Sequence, residues 1–584
     1  MRVSCVFVDY DYVVGCNRIA EVVVFVKVQK SPTSLRKLVY LMEAYRDTDG
    51  KPRQRIVRRC GELAELEAVD PQALAKLKAE AMELTRVKAK DTVTLELDLS
   101  RPRQEEDKTV NIGWFFLDAV WRELGLDAFF KRRQKAWKTG FDLDAHARLL
   151  VYSRILRPGS KRAAVQGRDW LHAGPDVADN GEVYRGLDLL HALAPDTQRH
   201  LHRQITAVFG RDVSKVFYDV TNYWFETDTP DGFRMKGPSK EHRLDPIVQM
   251  GLVMDANGLP VCYRLFPGNT HDARTLTPVL DDLKDGYQLG RITVVADKGL
   301  NSGANLAAIV TGGNGYVVAQ KVRGKAPPDI VAAVLDPDRW QTNPEQSFAF
   351  KSITRRHRLA KDLEVTEKCV LFWSQAYAVR EKRKRGLTLA DAQTMIANPA
   401  AYEASANYGR KRYVKETLVT PSGEIASKQL SLDQTKADTD ALLDGYYAIL
   451  TTETHLDDRS VIEAYHELNR IEESFRVLKT DLDGRPVYVW TEQHIDAHFL
   501  TCYLALTLIR AIQAKTGWRI PAHQITHALA SAQITPIENG IWALDQPDPA
   551  YHQIETAFGV TLPQRYARQE TIRSYQRQIR TKTA

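Results

Sequence analysis

Three carboxylates that are far apart in the chain are the residues best placed to do chemistry. Asp219 interrupts an otherwise apolar run, VFYDV, and Asp297 ends the β-branched run ITVVAD just before a glycine turn. Glu472 lies in the helical stretch IEESFRVLK, beside a stripe of apolar residues. Each residue alone has a common structural explanation, because a strand-end aspartate is more often a turn former or a helix cap and most helical glutamates are solvated.

The three carboxylates together predict a metal centre. Clustered carboxylates repel one another unless cations lie between them. Mg²⁺ or Mn²⁺ is the natural occupant, because these hard ions bind carboxylate oxygens and keep positions open for water and phosphate oxygens. Two such ions about 4 Å apart can activate an attacking oxygen and stabilise the leaving one. We therefore expect a pair of divalent ions and an in-line phosphoryl displacement.

A mixed sheet is needed to bring the first two carboxylates together. The predicted elements are strands at 214–226, 292–297, 315–322 and 445–453, an antiparallel hairpin at 246–269 around Asn257-Gly258, and helices at 273–284 and 304–310. Strands alternating with helices in this order indicate an α/β fold. Aspartates at strand ends of such sheets commonly face a ligand.

The rest of the chain divides into regions that differ in composition and in hydrophobic pattern. We predict a small strand-containing N-terminal module at 1–100, a helical region at 101–210, core segments at 211–322 and 444–530, an insertion at 323–443, and a C-terminal region at 531–584. The last twenty residues are polar and basic, which predicts a mobile tail.

Composition narrows the functional class. The chain has 584 residues and a net charge of +7, and its pI is near 8.8, which favours a polyanionic partner. Its six cysteines form no CxxC pair, which argues against a zinc site or a disulfide framework and fits a reducing cytoplasm. The longest apolar stretch, 499–509, is about half of a bilayer span and predicts a core helix. No targeting signal is recognisable.

Several stretches resemble one protein family. FYDVTNYWFE, SKEHRLDPIVQMGLVMD, VVADKGLNS and YHELNRIEESFRVLKTDLDGRPVYV are similar to bacterial insertion-sequence transposases of the DDE superfamily. The resemblance implies an RNase H-like core, which is a mixed five-stranded sheet with helices, interrupted by a β-rich insertion before the final glutamate. It also implies that Asp219, Asp297 and Glu472 are the catalytic and metal-binding residues.

The family signature around the glutamate is Tyr, Arg, Glu and Lys at fixed spacing. The corresponding residues here are Tyr465, Leu468, Glu472 and Lys479. Leu468 departs from the pattern, and whether Arg470 or Arg476 replaces the missing arginine is open. In a continuous helix the tyrosine, glutamate and lysine, seven residues apart, form one polar row.

Basic residues near these positions are predicted to bind DNA. The predicted DNA-binding set is Tyr465, Lys479, Lys240, Arg243, Lys298 and Arg476. The resemblance also makes the helical region at 101–210 a candidate DNA-binding region. The insertion adds basic runs at 353–358, 379–385 and 408–413, with Trp340, Trp373 and Tyr377 interleaved. Basic loops are often only solvated and aromatic residues often only pack in a core, so these runs are weaker signals.

The resemblance implies a DNA transposase that cuts at the ends of an insertion sequence and joins them to target DNA. The implied partners are double-stranded DNA and a second copy of the chain, in the bacterial cytoplasm and not at a membrane. Two alternatives remain open. One is an RNase H-like nuclease without strand transfer, and the other is an inactive transposase-derived DNA-binding protein, for which Leu468 would be a sign of decay.

Overall fold

A computed structural model describes residues 22–30, 36–46, 52–88 and 107–583, together with positions 95, 100, 102 and 104. Within 107–583 the description omits 178, 238–243, 325, 405–408, 410, 420–424 and 563. The chain divides into two compact units, Met1–Arg101 and Pro102–Ala584.

The first unit contains a three-stranded antiparallel sheet covered by a helix. Its elements are β1 (Val22–Lys30), β2 (Lys37–Arg46), β3 (Pro52–Glu62), α1 (Leu63–Val69) and α2 (Ala73–Lys88). Val24 and Leu41 of the sheet are buried against Ala81 of α2. Thr85 of α2 also accepts a hydrogen bond from the backbone N–H of Val24 at 2.8 Å.

The second unit mixes strands and helices throughout. Its strands are β4 (Val110–Asn111), β5 (Lys215–Trp224), β6 (Ile247–Asp255), β7 (Pro260–Pro267), β8 (Thr293–Ala296), β9 (Gly315–Gln320), β10 (Gln341–Thr342), β11 (Phe348–Ala360), β12 (Leu363–Ser374), β13 (Val414–Val419), β14 (Ile425–Leu432), β15 (Tyr446–Thr451), β16 (Gln533–Pro536), β17 (Ile541–Leu544) and β18 (Tyr566–Arg568). Its helices are α3 (Trp114–Glu123), α4 (Leu126–Gln134), α5 (Leu143–Leu156), α6 (Lys161–Gln166), α7 (Asn180–Phe209), α8 (Leu276–Tyr287), α9 (Gly303–Thr311), α10 (Pro328–Leu335), α11 (Gln375–Ala397), α12 (Pro399–Ala404), α13 (Gln434–Leu442), α14 (Asp458–His466), α15 (Asn469–Arg476), α16 (Glu492–Lys515), α17 (Ala522–Ser531), α18 (Pro549–Ala557) and α19 (Gln569–Thr583).

A nine-stranded mixed sheet forms the centre of the second unit. Its strand order is β10-β11-β12-β15-β9-β8-β5-β6-β7, in which β5, β8 and β9 are parallel and the other pairs are antiparallel. The expected count of five strands is wrong, because β12 of the insertion pairs with β15 and continues the same sheet. The hairpin predicted at Asn257-Gly258 is confirmed between β6 and β7, and Gly258 has the positive φ of +85° that such turns require.

Helices cover both faces of this sheet, because alternate strand residues enter two different cores. On β5 and β8, Phe217 and Val295 belong to the larger core, whereas Val216 and Val294 belong to the smaller one. The larger core contains residues of α3 to α7 and α14 to α19, and the smaller contains residues of α8, α9 and α10. The helical segment 107–209 therefore shares its core with the C-terminal helices.

The basic C-terminal segment is an ordered helix, so the prediction of a mobile tail is wrong. In α19, Ile572, Tyr575 and Ile579 recur at intervals of three and four residues and are buried in the larger core. Arg580 donates a hydrogen bond to the buried Asp118 at 2.9 Å. The other charged residues of α19 are exposed, and they explain why the sequence of this segment is typical of a polar tail.

Asp118 is held in an ion network inside the helical segment. Arg122 contacts its carboxylate at 2.8 Å and Arg148 at 3.2 Å. Burial alone raises the pKa of Asp118, but the hydrogen bond and charge of Arg122, with Arg580 and Arg148, outweigh it and lower that pKa below its ordinary value.

The predicted core helix at 499–509 is confirmed as part of α16. Within the described residues, α16 is a helix that is long enough and apolar enough to cross a membrane. However, 94% of its most apolar window is buried inside the protein.

Candidate active site

The register of two parallel strands makes Asp219 and Asp297 neighbours. Tyr218 of β5 is paired with Ala296, the last residue of β8, and each of these two residues is followed in the chain by an aspartate. Adjacent strands are about 4.8 Å apart, and residues in register point to the same face. Both side chains are half-buried on the face that carries the larger core.

Tyr465 of the signature is bonded to one of these aspartates. Tyr465 lies near the end of α14, and its hydroxyl donates a hydrogen bond to Asp297 Oδ1 at 3.0 Å. The hydroxyl oxygen of Tyr447 lies 3.3 Å from the hydroxyl oxygen of Tyr465. Burial, and then the charge of Asp297, raises the pKa of Tyr465 well above its ordinary value. The Tyr465 hydroxyl therefore keeps its proton and remains a donor.

The helix that carries the glutamate runs along β5 on the same face of the sheet. At one end, Lys215 Nζ of β5 contacts Glu467 Oε2 at 2.7 Å. At the other end, Lys479 Nζ lies 5.6 Å from the centroid of the Tyr223 ring, which also belongs to β5. Lys215 and Tyr223 are about 26 Å apart at 3.3 Å per residue, so the two contacts fix the direction of the helix along the strand.

Glu472 lies on the part of the segment between these two contacts with β5. Glu467 is in the turn before α15, and Lys479 is in the π-helical turn after it. Ile471 and Phe475 of α15 are buried in the larger core, whereas the Glu472 side chain is exposed. The glutamate is therefore at the border between core and solvent, on a segment that contacts β5 on both sides of it.

The three carboxylates do not form a closed cluster in this conformation. Among the residues that the structure describes, no group of three or more His, Cys, Asp or Glu side chains is close enough to hold a metal ion. Asp219 and Asp297 stand side by side, and Glu472 is displaced toward solvent. Carboxylate oxygens on adjacent segments are a donor set that suits a hard divalent ion, so Asp219 and Asp297 are of the residue type that fits such an ion.

The signature segment is not one continuous helix, contrary to our expectation. Helix α14 ends at His466 and α15 begins at Asn469, with a turn between them. A π-helical turn, Val477–Asp481, follows and contains Lys479. The turn and the π-helical residues change the rotation per residue, so the intervals of seven residues do not define a single straight row.

Leu468 cannot stand in for an arginine that contacts DNA. Its side chain is 6% exposed and is part of the larger core. Arg470 donates to the backbone oxygen of Ala256 in the β6–β7 turn. Arg476 is about half exposed, with its guanidinium 3.7 Å from Asp481. Of the two nearby arginines, Arg476 therefore has the greater freedom to reach a phosphate.

The remaining predicted DNA-binding residues fall into two groups. Lys240 and Arg243 lie outside the described residues. Lys298 directly follows Asp297, is exposed, and makes no ion pair with another described residue. Lys479 lies at the far end of β5 over Tyr223.

The basic runs of the insertion are partly internal. On β11, Arg355 and His357 contact the fully buried Glu367 at 3.2 Å and 2.8 Å. On α11, in contrast, Lys382 and Arg383 are exposed. The run at 379–385 thus offers charge to a ligand. In the run at 353–358, Arg355 and His357 hold β11 to β12, whereas Arg356 and Arg358 are exposed.

Aromatic residues predicted to stack on DNA have partners within the protein. Trp373 donates its indole N–H to the backbone oxygen of Asp444 at 3.1 Å. Tyr377 packs on Tyr447 with ring centroids 5.6 Å apart. These contacts favour the packing interpretation for both residues.

An exposed aromatic pair near the far end of β5 was missed by the sequence analysis. Tyr488 and Trp490 are 56% and 55% exposed. Val487, before Tyr488, and Val489, between the two aromatic residues, are buried. The guanidinium of Arg234 lies 5.1 Å from the centroid of the Trp490 ring. The alternation in PVYVW was the available signal, because it is typical of an extended segment with one face on the core.

Comparison with known proteins identifies part of the chain. Residues 225–508 match the family model of the transposase DDE domain, a range that includes Asp297 and Glu472 and begins six residues after Asp219. Among solved structures, the cryo-EM structure of a piggyBac transposase synaptic complex with hairpin DNA is similar at 8% identity, a TM-score of 0.33, and coverage of 80% of this chain and 83% of that one. No curated protein sequence matches.

Proposed function

Because residues 225–508 belong to the transposase DDE domain family, we propose that the chain cuts DNA at the ends of a bacterial insertion sequence and joins them to target DNA. Asp219, Asp297 and Glu472 are its catalytic carboxylates. The single observation that supports this assignment is the β5–β8 register, since two aspartates 78 positions apart in sequence each directly follow one residue of the same registered pair, Tyr218 and Ala296.

The strand order supports an RNase H-like core for this reaction. Three antiparallel strands, β7-β6-β5, continue through a parallel step to β8 and then β9. This arrangement places the end of β8, and hence Asp297, beside the middle of β5. The insertion at 323–443 enters the chain between β9 and β15, so it leaves that order intact.

The aspartate pair would hold divalent cations, Mg²⁺ or Mn²⁺ and two in number, with Glu472 as the third ligand. When bound, such ions supply polarisation of an attacking oxygen and stabilisation of the leaving one. The chain's own part is to fix Asp297 through the Tyr465 hydroxyl, and to place cationic side chains where phosphates lie. Lys298, Lys479 and Arg476 serve that second purpose.

Double-stranded DNA is the proposed partner, at both element ends and target, and a homodimer on DNA would supply one site per end. The net charge of +7 and the exposed cations of α11 are suited to a phosphate backbone. A protein that acts on the bacterial chromosome works in the cytoplasm, at the nucleoid.

Strand transfer is the test of this proposal. Purified chain is incubated with Mg²⁺, DNA that carries the inverted repeats flanking its gene, and a plasmid target, with pre-cleaved 3′-hydroxyl ends in a second reaction. We expect joined products from both substrates, loss of nicking and joining in Asp219→Asn, and retained end binding in a mobility-shift assay. The control is Asp281→Asn, an exposed aspartate on α8 at the opposite face of the sheet.

Each result that contradicts these expectations supports one alternative function or refutes the site assignment. Cleavage without joining, even from pre-cleaved ends, would identify a nuclease. End binding without cleavage by the wild-type chain would identify an inactive DNA-binding protein. Normal nicking by Asp219→Asn would refute the site assignment.

A further inference from the structure

Two tyrosine hydroxyls form a chain that ends on a carboxylate of the proposed site. Tyr465 donates to Asp297 Oδ1 at 3.0 Å, and the Tyr447 oxygen lies 3.3 Å from the Tyr465 oxygen. A hydroxyl has one proton to donate, so Tyr465 gives its proton to the carboxylate and Tyr447 donates to Tyr465. We propose that Tyr447 is a positioning residue for the reaction, which acts on Asp297 through Tyr465. This inference rests on the proposed function.

The Tyr447 ring is itself held in place by its neighbours. It packs against Phe372 at 5.3 Å, Tyr377 at 5.6 Å and Tyr465 at 6.0 Å between ring centroids. Phe372 is also its registered partner across the β12–β15 pair. Since strand and rings both fix the side chain, its hydroxyl has a defined location relative to Tyr465.

The chain of donors has a specific effect on the carboxylate. A hydrogen bond to Oδ1 orients Asp297 and leaves Oδ2 available to a cation. A donor behind the first one polarises it, so that the two hydrogen bonds strengthen each other. Tyr447 therefore matters only as long as Tyr465 has a hydroxyl, and this dependence distinguishes positioning from simple packing.

The Tyr377 ring gives the matched control. It contacts the Tyr447 ring as Tyr465 does, and the guanidinium of Arg380 covers it at 4.8 Å. Its hydroxyl makes no hydrogen bond to another described residue. Replacing Tyr377 by Phe removes a hydroxyl from the same cluster without touching the chain to Asp297.

A double-mutant cycle tests the proposal. Tyr465→Phe removes a hydrogen bond to a charged group and should slow Mg²⁺-dependent nicking about tenfold, and Tyr447→Phe removes a weaker neutral bond and should slow it about threefold. The double variant should be slowed about tenfold, not about thirtyfold, because Tyr447 has nothing to act on once the Tyr465 hydroxyl is gone. Tyr377→Phe should retain the wild-type rate. A thirtyfold loss in the double variant, or no loss in Tyr447→Phe, would overturn the inference.

Mn²⁺ binding, followed by electron paramagnetic resonance without DNA, gives a readout independent of turnover. We expect the same coupled pattern in the dissociation constant, with Tyr447→Phe and Tyr465→Phe weakening Mn²⁺ binding and Tyr377→Phe leaving it unchanged. Additive losses in Mn²⁺ affinity, or wild-type affinity in Tyr447→Phe, would contradict a positioning role. Asp297→Ala separates the two proposals. If it abolishes nicking while Tyr447→Phe has no effect, only the inference about Tyr447 fails, and if it leaves nicking intact, the site assignment itself fails.

Discussion

Restoring the arginine of the family signature should destabilise this protein, not activate it. Leu468 occupies that position with 6% of its side chain exposed, in the larger core. Leu468→Arg loses the burial of a leucine, about 2 kcal/mol, and places an unpaired guanidinium where water is excluded, a further several kcal/mol. The expected loss in the free energy of unfolding is about 4–6 kcal/mol, which is comparable to the whole stability of many proteins.

Urea titration followed by circular dichroism measures that loss, and the nicking assay runs in parallel. Two control variants separate the effect of the added charge from the effect of lost burial. Asn469→Arg adds the same charge at the next, exposed position and should leave the urea midpoint close to that of the wild type, while Leu468→Met keeps the burial and should cost under about 1.5 kcal/mol. A Leu468→Arg protein that keeps the wild-type urea midpoint and nicks DNA faster would refute the reasoning. That result would show that leucine at position 468 impairs the site and does not stabilise the core.

Three further outcomes follow from the geometry. Trp490→Ala should weaken binding of end DNA about 5- to 50-fold in fluorescence anisotropy through loss of base stacking, whereas Trp518→Ala, also exposed but packed at the β6–β7 turn, should not. Lys298→Gln should lower the slope of log Kobs against log salt by about one, because one phosphate contact is lost. The arginines lower the pKa of Asp118, so the ionised carboxylate stabilises the fold fully above pH ~4, and this stabilisation is lost as pH falls through the lower pKa of the folded state. The urea midpoint of Asp118→Asn should therefore depend less on pH in that range than the midpoint of the wild type.

Local patterns predicted the inner strands of the sheet well. The runs that became β5, β8, β9 and β15 are apolar or β-branched and bounded by turns, and Asn257-Gly258 specified the β6–β7 hairpin. The width of the sheet was not predictable in this way. The pairing of Lys368 with Thr451 joins segments 83 residues apart, and nothing local in either segment specifies that partner.

Sequence patterns can locate the residues of the candidate site but not their contacts. Asp219 lies on β5 and Asp297 directly follows β8, and the pairing of these two strands then brings the two segments together. The hydrogen bond from Tyr465 to Asp297 and the role of Tyr447 depend on where α14 docks on β15, which is tertiary packing. The break in the signature helix at 467–468 has the same origin, because Leu468 turns into the core at that point.

The pairing of β12 with β15 over six consecutive residues has a mechanical consequence. A force applied to β11 or β12 would pass through rows of backbone hydrogen bonds to β15, then to β9 and β8, and so reach Ala296, the residue before Asp297. Strands β10 to β12 of the insertion therefore belong to the same sheet as β5 and β8, whereas β13 and β14 of the insertion form a separate two-stranded sheet. A rearrangement of the insertion is therefore expected in its segments outside the nine-stranded sheet, and not by separation of β12 from β15.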